Sequence, residues 1–209
     1  MRENPTSIRL ATIADVDAVV KIHLASFHGF FLTFLGRQFL SELYAGIIED
    51  LTGIAFVCVK ENRLLGFVAG TSQPAGFYSR LLHRRWWRFA LASLIPILKN
   101  PLIIPRLLRA FSRNHAEDVH ENCATLMSIA IAPEAQGQGM GQALVQVFLQ
   151  ESARRDVKQV NLTTDALDNE AANRFYQKLG FTLQQVFTTP EGREMNEYTT
   201  GLQVYTPHE

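Results

Sequence analysis

Three glycines, at 137, 139 and 141, stand directly after an apolar run at 126–133 and just before a helical pattern that opens at Gln142. Glycine lets the backbone turn tightly and approach a ligand closely. The helix that follows offers unpaired N–H groups and the positive end of its dipole. The segment therefore predicts a strand, a glycine loop and a helix that together bind a phosphate group.

The spacing of these glycines excludes two common nucleotide motifs. A dinucleotide loop requires G-x-G-x-x-G or A, but the sixth position counted from Gly137 is Gln142. Counted from Gly139, it is Leu144. A nucleotide P-loop ends in Gly-Lys-Ser or Gly-Lys-Thr, whereas Gly141 is followed by Gln142. The loop therefore predicts a different phosphate ligand.

A second segment reads as a strand at 160–165, a helix at 169–179 and a new strand from Phe181. Its apolar residues fall at i, i+3, i+4 and i+7, which gives the helix one apolar face: Ala172, Phe175, Tyr176 and Leu179. Asp168 or Asn169 is suited to cap the start of this helix, and Gly180 its end.

Together, the two segments resemble the CoA-binding blocks of the GNAT superfamily of N-acetyltransferases. The first block of that family has the pattern Gln/Arg-x-x-Gly-x-Gly/Ala, which Gln136, Gly139 and Gly141 match. The run 169–181 resembles the second block, in which an Asn contacts pantetheine and a Tyr faces the thioester sulfur. The resemblance is close over 124–182 and loose over most of the remaining chain.

The resemblance implies that acetyl-CoA is the co-substrate, with longer acyl donors left open, and that no metal takes part. In the family, backbone N–H groups of the splayed strand polarise the thioester carbonyl, and a Tyr, here Tyr176, protonates the leaving thiolate. The residues implied to bind CoA are Ile129, Ala130, Ile131, Gln136, Gly137, Gln138, Gly139, Met140, Gly141, Gln142, Asn169, Asn173 and Tyr176.

The general base that takes a proton from the amine is less determined. Glu121 precedes the glycine-loop strand and Asp165 ends the neighbouring strand, and the family uses carboxylates in both regions. Glu121 is favoured narrowly, although each is more often an ordinary surface or capping charge. His23 and His28 lie in the region that lines the acceptor pocket in the family, but a lone His is usually structural. No spacing resembles a zinc site.

The acceptor is predicted to be a primary amine, of a small molecule or of a peptide. Phe30, Phe31 and Phe34 are the candidate substrate-binding residues, with core packing as the alternative. An aromatic lining suits a sugar or an apolar side chain. An amino sugar, another small amine and a protein N-terminus therefore all stay open.

The chain is expected to form one α/β domain over 1–209: a mixed, mostly antiparallel sheet with helices on both faces. The sheet is expected to splay between two parallel strands, at 124–132 and 158–165, where CoA enters. The other expected elements are a strand at 7–11, helices at 14–27 and 38–49, a hairpin at 54–59 and 64–70, and strands at 181–188 and 196–204.

A segment at 75–119 exceeds the family minimum and looks helical. No Asp or Glu occurs between Arg63 and Ala116, whereas Arg and Lys recur there beside Trp86 and Trp87. Three prolines are expected to divide this insertion into short helices: Pro96, Pro101 and Pro105. Its role stays open between packing over the core or a homodimer contact, acceptor binding, and peripheral membrane contact.

Composition narrows the function further. Equal numbers of basic and acidic side chains, 20 each, argue against a general nucleic-acid binder. Cys58 and Cys123 stand in strand-like runs and are expected to be buried free thiols. Free thiols imply a reducing cytoplasm, and the N-terminus lacks the apolar core of a signal peptide. Two alternatives to an enzyme are a noncatalytic acyl-CoA sensor, which Tyr176 disfavours, and a membrane-peripheral scaffold.

Overall fold

The computed structural model describes residues 6–27, 31–99 and 122–202. The strands are β1 Ser7–Leu10, β2 Gly53–Lys60, β3 Arg63–Thr71, β4 Cys123–Ile131, β5 Gln159–Asp165, β6 Thr182–Thr188 and β7 Glu194–Gly201. The helices are α1 Val16–Ser26, α2 Phe31–Phe34, α3 Gly36–Glu49, α4 Phe77–Lys99, α5 Met140–Arg154 and α6 Glu170–Lys178. Short 3₁₀ turns, Ile13–Asp15 and Pro133–Ala135, precede α1 and the glycine loop.

The seven strands form one sheet in the order β1-β2-β3-β4-β5-β7-β6. The pair β4 and β5 is parallel, and the other neighbouring pairs are antiparallel. The expectation of a mixed, mostly antiparallel sheet is therefore confirmed.

Two consecutive residues of β3 show that helices cover both faces of this sheet. A Cβ placed on Gly66 would lie 3.3 Å from Leu144 of α5, whereas the ring of Phe67 lies 5.2 Å from that of Tyr44 on α3. Successive residues of a strand point to opposite faces. Helices α3 and α5 therefore pack on opposite sides of the sheet, as expected.

The hairpin of β2 and β3 follows from its turn residues. Glu61 and Asn62 both have positive φ, 51° and 62°. Positive φ at both central residues is typical of the two-residue turn whose twist matches that of paired strands. The predicted hairpin is confirmed, and the other edge of β3 pairs with β4. Cys58 and Cys123 are buried free thiols within β2 and β4, as predicted.

The insertion is helical over α4, and residues 100–119 lie outside the described part. Phe89 of α4 packs its ring 5.1 Å from that of Phe39 on α3. Arg85 forms ion pairs with Glu42 and Glu49 of α3. One face of α4 therefore packs over the core, and the acidic residues of α3 compensate part of its positive charge.

The prediction that Pro96 divides the insertion is wrong, because α4 continues through it. Proline removes one helical hydrogen bond and crowds the preceding turn, but this local cost does not end α4, which stays helical for three residues beyond Pro96. The departure from helical geometry occurs instead at Arg85, where φ is −135° and ψ is 18°. Pro101 and Pro105 lie outside the described residues.

Candidate active site

The sheet opens between β4 and β5. The two strands pair only from Cys123 to Thr125, opposite 159–161. At the last pair, Thr125 Oγ1 donates a hydrogen bond of 2.6 Å to Asn161 Oδ1. Beyond it, β4 stays paired with β3 and β5 stays paired with β7. The facing edges of β4 and β5 therefore separate, as the sequence predicts.

A bulge in β4 accompanies this separation. Ala69 pairs with Ser128 and Gly70 with Leu126, so Met127 is an extra residue in β4. A bulge bends its strand and increases the local twist. The bend begins two residues after Thr125, just where β4 leaves β5.

The backbone of β4 presents donors to the opening. The N–H of Ala132, directly after β4, donates to Leu65 O at 2.7 Å, toward β3. Because N–H groups alternate sides along a strand, those of Ile129 and Ile131 point to the opening. The N–H of Ala130 points to β3 by the same alternation.

The glycine loop joins the end of β4 to α5. Gly137 and Gly139 have φ of 77° and 78°, a left-handed conformation that glycine adopts without strain. Gly141 does not turn the chain, because it already lies within α5. A Cβ on Gly141 would lie 3.4 Å from the ring of Phe175. The third glycine therefore permits close packing of α5 against α6.

The start of α5 fits a phosphate group. Ala143 N–H makes the first bond of the helix, 3.1 Å to Gly139 O. The N–H groups of Met140, Gly141 and Gln142 therefore have no acceptor within the helix. The dipole of this 15-residue helix adds positive potential at the same place.

A cavity of about 400 Å³ occupies the opening. It is lined by residues of α1, α2, β4, β5 and α6 and of the chain at the start of β7. They are His23, Ser26, Phe27, Leu32, Leu126, Met127, Ser128, Ile129, Leu162, Thr163, Thr164, Asn169, Ala172, Tyr176, Arg193 and Met195. The cavity therefore connects the facing strand edges with the N-terminal helices.

Tyr176 lies in the wall of this cavity on α6, with 8% of its surface exposed. Its ring packs edge-on against Phe175 and Phe181, at 5.2 and 5.8 Å. Burial raises the pKa of its hydroxyl to about 12. The phenol is therefore protonated at neutral pH and able to donate a proton or a hydrogen bond.

Two asparagines precede Tyr176, one at the N-cap of α6 and one within its first turns. Asn169 lines the cavity and occupies the N-cap position, but its side chain donates to Thr164 Oγ1 at 2.7 Å rather than capping the helix. Asn173 Nδ2 donates to Asp165 O at 3.0 Å, and Asn173 Oδ1 accepts from Asn196 at 2.8 Å. The amide of Asn173 therefore ties α6 to β5 and β7.

Asp165, at the end of β5, is engaged by Arg193. The guanidinium contacts both carboxylate oxygens, with Nη2 at 2.5 Å from Oδ1 and 2.6 Å from Oδ2. Arg193 also lines the cavity. This pair holds the chain that precedes β7 against β5.

His23 lies opposite α6, on α1, and is only 2% exposed. Its Nδ1 lies 2.7 Å from the hydroxyl of Tyr44, and that hydroxyl also hydrogen-bonds the side chain of Ser128. Burial lowers the pKa of His23 to about 4. A chain of three hydrogen-bonding side chains therefore runs from α1 through α3 to β4.

The predicted acceptor residues are only partly described. Glu121 and Phe30 lie outside the described residues, as does the side chain of Phe31. Phe34 is 61% exposed and does not line the described cavity, to which this part of the chain contributes Phe27 and Leu32. Phe34 lies on the outer side of the short α2, which explains why it does not line the cavity as expected.

Sequence reasoning missed most of the lining beyond α6. It noted His23 without assigning it a role, and it did not identify Ser26, Ser128 or Arg193. No local spacing marks these residues, because they meet only through the packing of α1, β4 and the start of β7. Among the described residues, no three His, Cys, Asp or Glu side chains group closely enough to hold a metal.

Comparisons with known sequences give the family. Residues 17–181 match the model of the Acetyltransferase (GNAT) family. The mycothiol acetyltransferase of Streptomyces griseus is 36% identical over 76 residues, 36% of this chain and 24% of that protein. The [ribosomal protein bS18]-alanine N-acetyltransferase of Escherichia coli K12 is 37% identical over 75 residues, 34% of this chain and 50% of that protein. The matches thus span a quarter to a half of these curated relatives.

Solved structures share the fold. An N-acetyltransferase from Staphylococcus aureus Mu50 superposes with a TM-score of 0.64 at 16% identity, covering 96% of this chain and 100% of that one. The structure of yncA from Salmonella typhimurium with acetyl-CoA gives 0.62 at 14% identity, covering 98% of both chains. At these identities the likeness shows the fold alone. The family model matches most of the length of this chain, residues 17–181. The chain therefore belongs to the GNAT acetyltransferase family.

Proposed function

We propose that this protein is an acetyl-CoA-dependent N-acetyltransferase that acts on a primary amine by direct transfer within a ternary complex. The observation that carries the proposal is the opening between β4 and β5. It brings a cavity lined by Tyr176 together with the donor edge of β4, which leads into the glycine loop. Family membership supports the same activity.

The residues divide into two CoA-binding groups. The loop and helix start at 136–142 fit the pyrophosphate, since they offer unpaired N–H groups and a positive dipole end. The N–H groups of Ile129 and Ile131, with Asn169, fit the pantetheine arm, which would lie along β4 like an added strand. Acetyl-CoA, when bound, supplies a thioester carbon for attack.

The protein groups then handle charge and protons. As the amine attacks, negative charge grows on the carbonyl oxygen, and a β4 N–H group stabilises it. Tyr176 donates its proton to the thiolate that leaves. We keep Glu121 as the proposed general base in preference to Asp165, because Arg193 already engages both oxygens of Asp165.

The proposed location is the cytoplasm.

Titration calorimetry with acetyl-CoA and CoA, followed by thiol-release assays on peptides, amino sugars and other amines, tests this function. We expect binding of both nucleotides and turnover on one class of amine. Binding without turnover on any of these amines would favour the noncatalytic acyl-CoA sensor instead. Absence of binding would contradict the whole assignment.

The outer face of α4 supports a second proposal, contact with an anionic membrane. Its exposed apolar residues include Trp86, 65% exposed, and Leu98, 82% exposed. Arg88 lies with its guanidinium 5.1 Å from the ring centre of Trp87. Aromatic rings beside arginines suit the interface of an anionic bilayer. None of the described helices combines the length and apolar character needed to cross a bilayer.

Sedimentation with vesicles tests this surface. We expect binding to phosphatidylserine vesicles that weakens with salt and is lost in the Trp86→Ser/Trp87→Ser variant. Equal sedimentation of the variant would contradict the proposal. The native protein could instead fail to sediment with vesicles and elute from a size-exclusion column as a dimer. If the double substitution dissociates that dimer, the outer face of α4 is a homodimer contact.

A further inference from the structure

Two polar atoms of α1 are buried without a hydrogen-bond partner. They are Nε2 of His23 and Oγ of Ser26, and both residues line the cavity. Their spacing of three places them on one face of the helix. Buried polar atoms in folded proteins are nearly always hydrogen-bonded. An unpartnered pair in a cavity wall therefore suits a bound polar group that completes its hydrogen bonds.

The imidazole of His23 is oriented by its surroundings. Its Nδ1 is committed to the hydroxyl of Tyr44 at 2.7 Å, and its ring centre lies 4.6 Å from that of Phe27. Tyr44 is in turn held by Ser128 of β4. Because Nδ1 is already engaged, Nε2 is the ring atom left for a ligand.

The charges around this pair disfavour a cation. Burial lowers the pKa of His23 to about 4, so the ring is neutral at pH 7. Burial also raises the pKa of Tyr44, which stays neutral. Arg193, which also lines the cavity, is neutralised by its ion pair with Asp165. This end of the cavity therefore suits an uncharged amine better than an ammonium ion.

We propose that His23 Nε2 and Ser26 Oγ bind the acceptor amine as its free base, and that the acceptor is an amine of low basicity. The inference rests on the proposed acetyltransferase function. The proposal assigns the ring proton of His23 to Nδ1, which lies 2.7 Å from the hydroxyl of Tyr44. In this tautomer Nε2 accepts an N–H of the amine and directs the nitrogen lone pair toward the thioester. No covalent bond changes at His23, and Tyr44 is a positioning residue.

The preference for a free base defines the substrate class. An α-amino group has a pKa near 7.7–8.0 and a lysine side chain near 10.4. The free-base fraction near pH 7.5 is therefore on the order of a hundredfold larger for the α-amine. The class comprises primary amines beside an electron-withdrawing carbon, as in a peptide N-terminus or a 2-amino sugar.

Steady-state kinetics of three single variants test the binding pair. His23→Asn keeps an amide that can reach Tyr44 but removes Nε2, and Ser26→Ala removes the second polar atom with little change in packing. His83→Asn, on the exposed side of α4, is the matched control. We expect the first two to raise KM for the amine about tenfold with KM for acetyl-CoA unchanged, and the control to behave as the native protein. A KM for the amine within twofold of native in both would overturn the proposal.

A second measurement does not depend on turnover. In ¹⁵N NMR of the imidazoles with CoA bound, His23→Asn assigns the signal. We expect the chemical shift of the Nε2 signal to change when a peptide with a free N-terminus or glucosamine is added. An N-acetylated peptide that carries lysine should leave the signal unchanged. A shift with only the peptide would identify the acceptor as a peptide N-terminus, and a shift with only glucosamine would identify it as an amino sugar.

The two measurements separate the inference from the function on which it rests. A shifted Nε2 signal without turnover would support the amine site and contradict the enzyme. Turnover with an unmoved signal, or turnover restricted to lysine side chains, would overturn the inference and leave the acetyltransferase intact.

Discussion

At the scale of single residues, Tyr176 shows how burial prepares a group for chemistry. Its ring is packed among aromatic neighbours, and burial raises the pKa of its hydroxyl to about 12. A phenol with this pKa keeps its proton throughout the neutral range. An ordinary tyrosine, with a pKa near 10, is also protonated at neutral pH, and burial makes the Tyr176 hydroxyl a weaker acid. The hydroxyl is therefore suited to donate a hydrogen bond to the thiolate, and its proton transfers only as negative charge builds on the sulfur.

We predict that Tyr176→Phe lowers kcat about 10²-fold, in the range of general acid catalysis. The affinity for CoA should stay within twofold, because the ring and its packing are kept. Tyr198→Phe is the matched control, since Tyr198 is also buried and its ring centre lies 6.3 Å from that of Tyr176. Thiol-release kinetics and calorimetry measure the two quantities. Equal kcat in native protein and Tyr176→Phe would contradict the proton-donor role.

At the scale of elements, the glycine loop owes its form to two left-handed residues. Gly139 is the N-cap of α5 with φ of 78°, and a Cβ there would have no neighbour within 4 Å. A side chain would therefore strain the backbone and project into the space before the helix start. The effect of backbone strain can be measured apart from the effect of blocking the ligand, because a substitution at another glycine with the same φ causes only the strain.

We predict that Gly139→Val weakens CoA binding more than tenfold and destabilises the fold by about 1–3 kcal/mol through backbone strain. Gly36→Val is the matched control, because Gly36 has φ of 81° and equally open surroundings. The control should lose similar stability but keep its CoA affinity. Calorimetry and urea unfolding measure both effects. Native affinity in Gly139→Val would show that the loop does not bind the pyrophosphate.

The attachment of α4 to α3 gives a second prediction at this scale. Arg85 is largely buried and pairs with Glu42 at 2.7 Å and with Glu49. Arg85→Ala should lower the free energy of unfolding by about 1–2 kcal/mol, since the partly buried carboxylate of Glu42 loses its nearer partner and keeps only Arg88, at 3.7 Å. Arg84→Ala, at the exposed neighbouring position, should change it by less than about 0.5 kcal/mol. Equal urea midpoints for the two variants would contradict a structural role for the ion pairs.

At the scale of the whole molecule, the buried imidazole of His23 links stability to pH. Its pKa falls from 6.5 to about 4 on folding, so the unfolded chain binds the proton more readily in this interval. Stability is therefore complete above pH 6.5 and decreases as the pH falls toward 4. Asp15, whose pKa is lowered to about 2 by Arg9, titrates below this window.

We predict that the native protein loses roughly 3 kcal/mol from this residue between pH 7 and pH 4, at 1.36 kcal/mol per pKa unit. His23→Asn cannot take up this proton, so its stability difference from the native protein should shrink over the same interval. Urea unfolding at a series of pH values measures it, with His83→Asn as the control. A constant difference between native protein and His23→Asn would contradict the burial of a neutral imidazole.

Local patterns predicted most of the elements that carry the site. The glycines of the loop, the apolar face of α6 and the turn at Glu61 and Asn62 each act on their own few residues. Their consequences therefore follow from backbone geometry and periodicity alone. The prediction for Pro96 failed because a proline removes one local hydrogen bond and crowds one turn. That cost did not end a helix that packs on α3 through Arg85 and Phe89.

By itself, the sequence determined the order of strands and helices, the glycine loop and the place of Tyr176 on α6, because those features depend on neighbours within a few positions. Only the tertiary structure decided which distant residues meet. It brings His23 to Tyr44, Asp165 to Arg193 and the bulge at Met127 to the mouth of the opening. These contacts join elements far apart in the chain, so burial and pairing in the folded sheet, rather than local spacing, define the lining of the cavity.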